Sequence, residues 1–420
     1  MLCSFLQHAP ALTCFRIINT VAIDSRSVFM HSRDVEDHHG VQSPLSWSAS
    51  SMRRDSSGDQ VLIIVTLLLL AVGIMMMYSS SALLAQRTYD DAAFFLKRQS
   101  MWIAVGLILL YAFSRFQHQY WKNVIGPLLG VGLALLAVVL LSPLGEPING
   151  SRRWLRLGVM TVQPSEFVKV MLIIYLACYL AGRGERIRSF VSGALPAVLV
   201  VGVFVGLIVC EPDLGTAVVI LIVTAGMLFI GGVPAWHLAG LSTATLAMCV
   251  YRVTQTAYQR QRVLTFLNPG EDPQGSGYQT IQSILAIGKG GVWGSGLGES
   301  SQKRLFLPEP HTDFIFAVLS EELGLIGGIL LLGLYGLLIW RGFRISWRSW
   351  GSNDLLGHYL AYGIALLFVV QVLINVGVVS GMLPAKGLPL PLLSYGGSSI
   401  VMNLAAIGIL ISISRSQERV

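Results

Sequence analysis

Residues 61–81 read VLIIVTLLLLAVGIMMMYSSS, and the first eighteen carry no charge. About 20 such residues cross the hydrocarbon core of a bilayer as a helix. A helix lying on a soluble core keeps a charged or polar outer face, and this run has none. Working outward, nine more segments repeat the pattern, near 99–115, 122–142, 167–182, 190–210, 214–232, 235–252, 313–341, 355–380 and 397–414. Residues of the AVILMFWYC set make up 54% of the 420, and Asp, Glu, Lys and Arg only 12%. A soluble domain carries roughly 25% charged residues. The composition therefore excludes an ordinary cytosolic enzyme, and its hydrophobicity excludes a disordered chain. The expected fold is all-α: a polytopic membrane protein with about ten transmembrane helices. Residues 253–312 join helices seven and eight as a large extracytoplasmic loop, rich in Gly, Gln, Ser and Pro.

The net charge is +7. The basic side chains lie in loops and at segment ends, which fits membrane topology and an anionic headgroup rather than nucleic acid. Arg115, Lys122, Arg183, Arg186, Arg188, Arg341, Arg344, Arg348, Arg415 and Arg419 fall on one side, which predicts cytoplasmic loops there and both termini inside. Arg87, Lys97, Arg98, Arg152, Arg153 and Arg156 fall on the other side, and binding an anion is one reason to keep them. Residues 1–57 form a tail with Asp34, Glu36, Asp37, His38 and His39 close together, read as solvated rather than metal-binding. Met52-Arg53-Arg54 looks like a natural start, so 1–51 is read as an upstream-start artefact or a dispensable cytoplasmic extension. The membrane domain is taken as 58–415, with a cytoplasmic end at 416–420. The five cysteines show no CxxC and no metal-ligand spacing. No matching pair of broken segments marks an inverted repeat.

Five polar clusters interrupt the apolar pattern. In Asn149-Gly-Ser-Arg-Arg-Trp-Leu-Arg (149–156), three arginines surround a tryptophan. Guanidinium forks suit phosphate and the indole suits a sugar face, while an interfacial anchor explains the same residues equally well. In Gln163-Pro-Ser-Glu-Phe-Val-Lys (163–169), Pro164 suits a helix first turn. Glu166 and Lys169 share a face of that helix, either facing a polar cavity or forming a structural ion pair. In Glu211-Pro-Asp-Leu-Gly-Thr (211–216), Asp213 reads as the N-cap of the next helix, and both carboxylates can answer nearby cations. Glycines crowd 275–298. No strand and no G-x-x-x-x-G-K-[ST] spacing supports a nucleotide loop. Gln282, Ser283, Lys289, Gln302 and Lys303 either line a polar groove or belong to a solvated loop, and the loop is favoured. Downstream, Asp313 opens an apolar helix and Glu321 and Glu322 follow two turns deeper; ionisable residues there are costly unless used. Function is favoured for Asp313, and Glu321 is open to an internal pair with a basic residue. Finally, LPAKGLPLPLLSYGGSS (383–399) holds three prolines and three glycines in an apolar stretch, so a re-entrant segment carrying Lys386 is favoured over an outer loop.

Together these stretches resemble the SEDS family (shape, elongation, division and sporulation proteins). The resemblance covers about residues 60–415. It is carried by NGSRRWLRLG at 149–158, QPSEFVK at 163–169, EPDLGT at 211–216, GSGYQTIQSILAIGKGG at 275–291, LPEPHTDFIFAVLSEELG at 307–324 and LPAKGLPLPLLSYGGSS at 383–399. The stretch GLGESSQKRLFLPEPHTD is similar to the division branch more than the elongation branch. Glu299 and Pro310 are small departures.

The resemblance implies a peptidoglycan glycosyltransferase that polymerises lipid II on the outer face of the bacterial inner membrane, at the division septum. The family's essential Asp falls on Asp313, assigned as general base for the acceptor sugar 4-hydroxyl. Arg152, Arg153, Lys169 and Lys386 are candidates for holding the pyrophosphate, with Glu166 and Asp213 positioning those cations. Gln282, Ser283 and His311 complete the substrate-binding set. Asp272 is an alternative base and more naturally a turn residue. One base plus several cations is a sensible inventory, because a pyrophosphate stabilised by cations leaves without protonation. No cofactor is required, and a divalent cation at the pyrophosphate is compatible with the sequence. The implied partners are a class B penicillin-binding protein (the septal transpeptidase) and other divisome membrane proteins, with no nucleic acid. Three alternatives stand: a lipid II flippase, a scaffold that activates a partner synthase, and an elongation-type polymerase. A flippase needs a polar path to the inner face, and only Glu321 and Glu322 extend that way.

Overall fold

The computed structural model describes residues 59–142, 145–148, 151–157, 160–255, 260–261, 264–266, 277–300, 311–384 and 387–417. Each of the ten apolar segments forms a helix: α1 Gln60–Tyr89, α2 Phe94–Arg115, α3 Trp121–Leu141, α4 Pro164–Arg183, α5 Leu195–Cys210, α6 Leu214–Ile230, α7 Ala235–Gln255, α9 Ile315–Gly351, α10 Leu355–Val379 and α11 Gly397–Gln417. Among the described residues, eight helices reach the length and hydropathy of a membrane span, and α6 is a shorter apolar helix. Their starts follow local chemistry. Asp59 accepts from the Leu62 amide at 3.1 Å, Asp213 from Thr216 at 3.2 Å and Asp354 from Gly357 at 3.1 Å. Each carboxylate thereby satisfies an amide that the helix itself leaves unpaired. Pro164 occupies the first turn of α4.

Helices α4 and α11 are buried almost all round and form the core. Around them, α4 packs on α3, α6 and α10, and α11 packs on α2, α9 and α10. Close approach explains two glycines at the α2–α11 contact. A Cβ on Gly408 would meet the Leu110 carbonyl at 2.6 Å, and one on Gly106 would meet the Leu404 side chain at 2.5 Å.

Two elements depart from the sequence expectation. Residues 151–156 of the arginine cluster lie in a small antiparallel sheet, with β1 Gly145–Ile148, β2 Ser151–Leu157 and β3 Met160–Val162 in the order β1-β2-β3. Glu146 pairs with Trp154 and Pro147 with Arg152, so Arg153 is left without a partner across the β1 ladder. Such a bulge re-aims the side chain it carries. The long 253–312 connection is likewise no plain loop, because it contains α8 Tyr278–Gly290, packed on α9 and α10.

Helix α9 breaks at Gly324, where φ is 68° and ψ −166°. The Gly290–Gly296 turn inserts there. Ser295 and Gly296 donate to the Glu321 and Glu322 carbonyls at 2.9 and 3.0 Å, and Leu325 and Ile326 donate to Gly291 and Val292 at 2.9 and 3.3 Å. A broken membrane helix must satisfy its freed backbone groups inside the protein, and this ladder does so. A Cβ on Gly290, Gly294 or Gly324 would collide with the backbone facing it.

Candidate active site

The turns at 90–93, 211–213 and 311–314, the sheet and the 380–384 and 387–396 segments gather at one end of the bundle by alternation of the helices. The organising element is the segment 387–396. Its backbone is irregular, with Leu392 at φ 64°, yet Leu388, Leu390, Leu392, Leu393 and Ser394 are buried. Irregular backbone at this depth persists only inside protein or against a wet cavity. Each part is held. Gln99 of α2 donates to the Ser394 carbonyl at 3.3 Å, the Tyr335 hydroxyl of α9 donates to the Pro391 carbonyl, and Leu390 donates to Ser394 Oγ at 2.9 Å. Leu392 lies so near α1 that a Cβ on Gly73 would meet its carbonyl at 2.6 Å. Leu388 reaches Gly215 of α6, and Ser398 at the start of α11 accepts from the Gln163 amide at 2.9 Å.

Asp313 sits in the 311–314 turn that opens α9. Tyr395 donates to the His311 carbonyl at 2.9 Å. Asn375 of α10 donates to the carbonyls of Asp313 and Leu388 at 3.0 and 2.9 Å. The carboxylate faces Gly387, where a Cβ would lie 3.2 Å from Asp313 Oδ2. His311 is 4% exposed and packs between Phe95 and Tyr395, with ring centroids at 4.7 and 5.5 Å. Burial pushes its pKa down to about 4, so the ring is neutral at physiological pH and contributes shape rather than charge.

The second group lies where α4, α6 and β2 meet. Lys169 and Glu166 pair at 2.8 Å, each 2% exposed. Below Lys169, a cavity of about 10 Å³ runs between α4, α6 and α10 and is lined by Ile220, Thr224 and Leu367 among others. Arg153, aimed by the bulge, donates to the Glu211 and Pro212 carbonyls at 3.3 and 2.5 Å and lies 3.9 Å from Asp213 Oδ1. Asp213 accepts from the Thr216 hydroxyl at 2.8 Å and from Gln163 at 3.2 Å. Glu211 is fully buried, and neither carboxyl oxygen has a hydrogen-bond partner among the described residues. Burial first, and Asp213 second, push its pKa up to about 9 against the pull of Arg153. It is therefore a neutral acid near pH 7.

The structure thus brings Asp313, His311, Glu166, Lys169, Arg153 and Asp213 to one end of the bundle. Arg152 lies on β2, but its side chain falls outside the described residues, as do all of Lys386, Asp272, Gln302 and Lys303. Ser283 is buried against α10, donating to the Val379 carbonyl at 3.0 Å, and Gln282 beside it is half-buried. Glu321 pairs with Lys289 at 3.3 Å and accepts from Ser300, which is the internal pair left open by the sequence. Glu322 accepts from Ser79 at 2.7 and 2.9 Å. Sequence reading missed Asn375 and Gln99. The signal for Asn375 was a pair of amides, Gln371 and Asn375, inside a 25-residue apolar helix.

Fold and site define a polytopic helical membrane protein with a cluster of polar and charged side chains at one end. The family described as cell cycle protein, FtsW/RodA/SpoVE, matches residues 59–419, and the chain belongs to that family. A relative named probable peptidoglycan glycosyltransferase FtsW, from Coxiella burnetii, is 46% identical over 321 residues, covering 76% of this chain and 86% of that one. Stage V sporulation protein E of Bacillus subtilis is 43% identical over 327 residues, covering 78% and 88%. Among solved structures, a chain from work on the structural coordination of polymerization and crosslinking by a peptidoglycan synthase complex superposes with TM-score 0.71 at 34% identity, covering 87% and 99%. The rod shape determining protein RodA of Thermus thermophilus superposes with TM-score 0.63 at 30% identity, covering 86% and 98%.

Proposed function

We propose that this protein polymerises lipid II into glycan strands during septal cell-wall synthesis. The observation that carries the reading is the seating of Asp313. A helix-start carboxylate faces Gly387, at the exposed start of the mostly buried 387–396 segment, at the end of the bundle where Arg153 and Lys169 also gather. In the reaction, Asp313 takes the proton of the acceptor 4-hydroxyl as its oxygen bonds to the donor anomeric carbon. The bond from that carbon to the lipid pyrophosphate breaks, and undecaprenyl pyrophosphate leaves with the electron pair. General base catalysis of this kind contributes about 10²–10⁴-fold. Lys169, Arg152 and Lys386 are proposed to face the pyrophosphate, Arg153 to act through the 211–213 turn it holds, and Gln282, Ser283 and His311 to shape the substrate-binding walls. A divalent ion at the pyrophosphate would arrive with the substrate, and its need is read from the rate before and after EDTA.

The proposed setting is the bacterial inner membrane at the septum, with both termini cytoplasmic. The proposed partner is a class B penicillin-binding protein, in keeping with the synthase complex that the fold resembles. The division branch is favoured because relatives named FtsW reach 46% identity, whereas the RodA structure stands at 30%. A flippase reading loses its main support, since Glu321 and Glu322 are engaged by Lys289, Ser300 and Ser79. The test is glycan synthesis from labelled lipid II by the purified protein with its cognate transpeptidase. Asp313→Asn should drop the rate by at least about 100-fold while keeping the fold and the complex. Equal rates would remove Asp313 from the mechanism.

A further inference from the structure

We propose that Asn375 and Gly387 form the seat of the Asp313 carboxylate, with Asn375 a positioning residue of the reaction and Gly387 the wall that sets how far the carboxylate can advance. The inference rests on the polymerase reading above. Asn375 is 2% exposed and lies within α10. A single amide nitrogen gives one hydrogen to the Asp313 carbonyl at 3.0 Å and the other to the Leu388 carbonyl at 2.9 Å. It thereby fixes the turn that carries the base to the segment the base faces, with the two main chains held by one planar group. Its own Oδ1 is buried without a partner among the described residues. An orphaned buried acceptor costs stability, so packing alone gives no reason to prefer Asn over an apolar residue here; the double donation does. On the other side, the place where a Gly387 side chain would begin lies 3.2 Å from Asp313 Oδ2, the one contact within 4 Å there among the described residues beyond its chain neighbours. A methyl group at 387 would therefore press on the carboxylate.

The two sites permit opposite disturbances of one atom group. Asn375→Gln keeps both amide hydrogens but sets them one methylene further out. Gly387→Ala leaves the staple intact and pushes the carboxylate by a few tenths of an ångström. A misplacement of about 1 Å is able to cost about 100-fold in rate, so kcat should fall about tenfold or more for N375Q, and about threefold or more for G387A. KM for lipid II should stay within about twofold, because neither residue is placed on the pyrophosphate or the sugars.

The experiment measures kcat and KM for glycan synthesis by the complex with the cognate transpeptidase, for wild type, N375Q and G387A, with thermal melting as the check on folding. A fall in kcat at unchanged KM and near-native melting supports the seat. A folded N375Q with wild-type kcat overturns it. Should N375Q fail to fold, G387A decides alone: reduced kcat supports the proposal, and wild-type kcat overturns it. A rise in KM with kcat unchanged overturns it as well, since that pattern marks substrate binding. If the wild-type complex itself makes no glycan, the polymerase reading falls and this proposal falls with it, which separates that failure from the others.

Discussion

Glu211 illustrates how much a single residue's state depends on packing that no motif announces. Its place in Glu211-Pro-Asp-Leu-Gly-Thr reads as a paired carboxylate, yet the arginine beside it directs its donors to backbone carbonyls. The side chain is sealed in and holds its proton up to about pH 9, against an ordinary value of 4.5. The unfolded chain releases that proton above pH 4.5, so its contribution to stability is complete below that pH and is lost as pH rises through about 9. Melting of the detergent-solubilised protein should fall with pH across this window more steeply for wild type than for Glu211→Gln, which cannot ionise. Parallel curves would mean the acid is already ionised in the folded protein. Other site residues were plainer in the sequence. The Glu166–Lys169 pair and the Asp213 cap follow from spacing alone, because three residues place two side chains on one helix face. Asn375 could not be read that way, since its partners lie 62 and 13 residues off in sequence.

At the scale of elements, long apolar runs declare themselves and short amphipathic ones do not. All ten apolar segments form helices, because nothing but a helix hides the backbone of such a run in lipid. The three short strands carry Arg, Gly and Pro in place of an alternating apolar pattern, and α8 is a 13-residue helix in glycine-rich sequence. The break in α9 was hidden too, since Gly324 sits in an apolar run without a proline. Its φ and ψ fall in a region reserved for glycine, and a Cβ would strike Gly294 and Val292. Gly324→Ala should therefore destabilise by about 3 kcal/mol or more, the strain alone being worth about 1–3. The comparison is thermal melting against Gly333→Ala, a site on the same helix with open space around it. Equal melting temperatures would show that the break is not needed.

Across the whole molecule, the end opposite the site is fastened by ion pairs. Arg341 grips Asp59 through two nitrogens at 2.6 and 2.8 Å. His118 meets Asp354 at 2.7 Å, joining the α2–α3 link to the α9–α10 turn. Burial of Asp354 opposes its ionisation, but the His118 hydrogen bond leads the contributions that outweigh burial and hold its carboxyl below the ordinary value. That stability is present above the usual carboxylate range and is lost as pH falls through the folded value. Asp354→Ala should lower the melting temperature at pH 7, at a cost of about 1 kcal/mol or more for the cap alone, and the gap to wild type should close as the solution is acidified. A gap independent of pH would mean that the charge is not what matters there.

The fastening has a mechanical corollary. Beyond Gly324, α9 is tied down by Asp59, by Gln417 donating to Ile345 and Ser349, and by the Ser346–His358 contact. The long arm of the helix is thus clamped, and the short arm is held on its own side by Ser295 and Gly296 on the Glu321 and Glu322 carbonyls and by Asn375 on the Asp313 carbonyl. Asp313 lies 11 residues before that break, about 16.5 Å away at 1.5 Å per residue. A tilt of roughly 10° between the arms would move the carboxylate by about 3 Å, more than the misplacement of about 1 Å that is able to cost about 100-fold in rate. A break that a glycine alone can occupy, stapled on both sides, therefore fixes where a carboxylate three turns away stands.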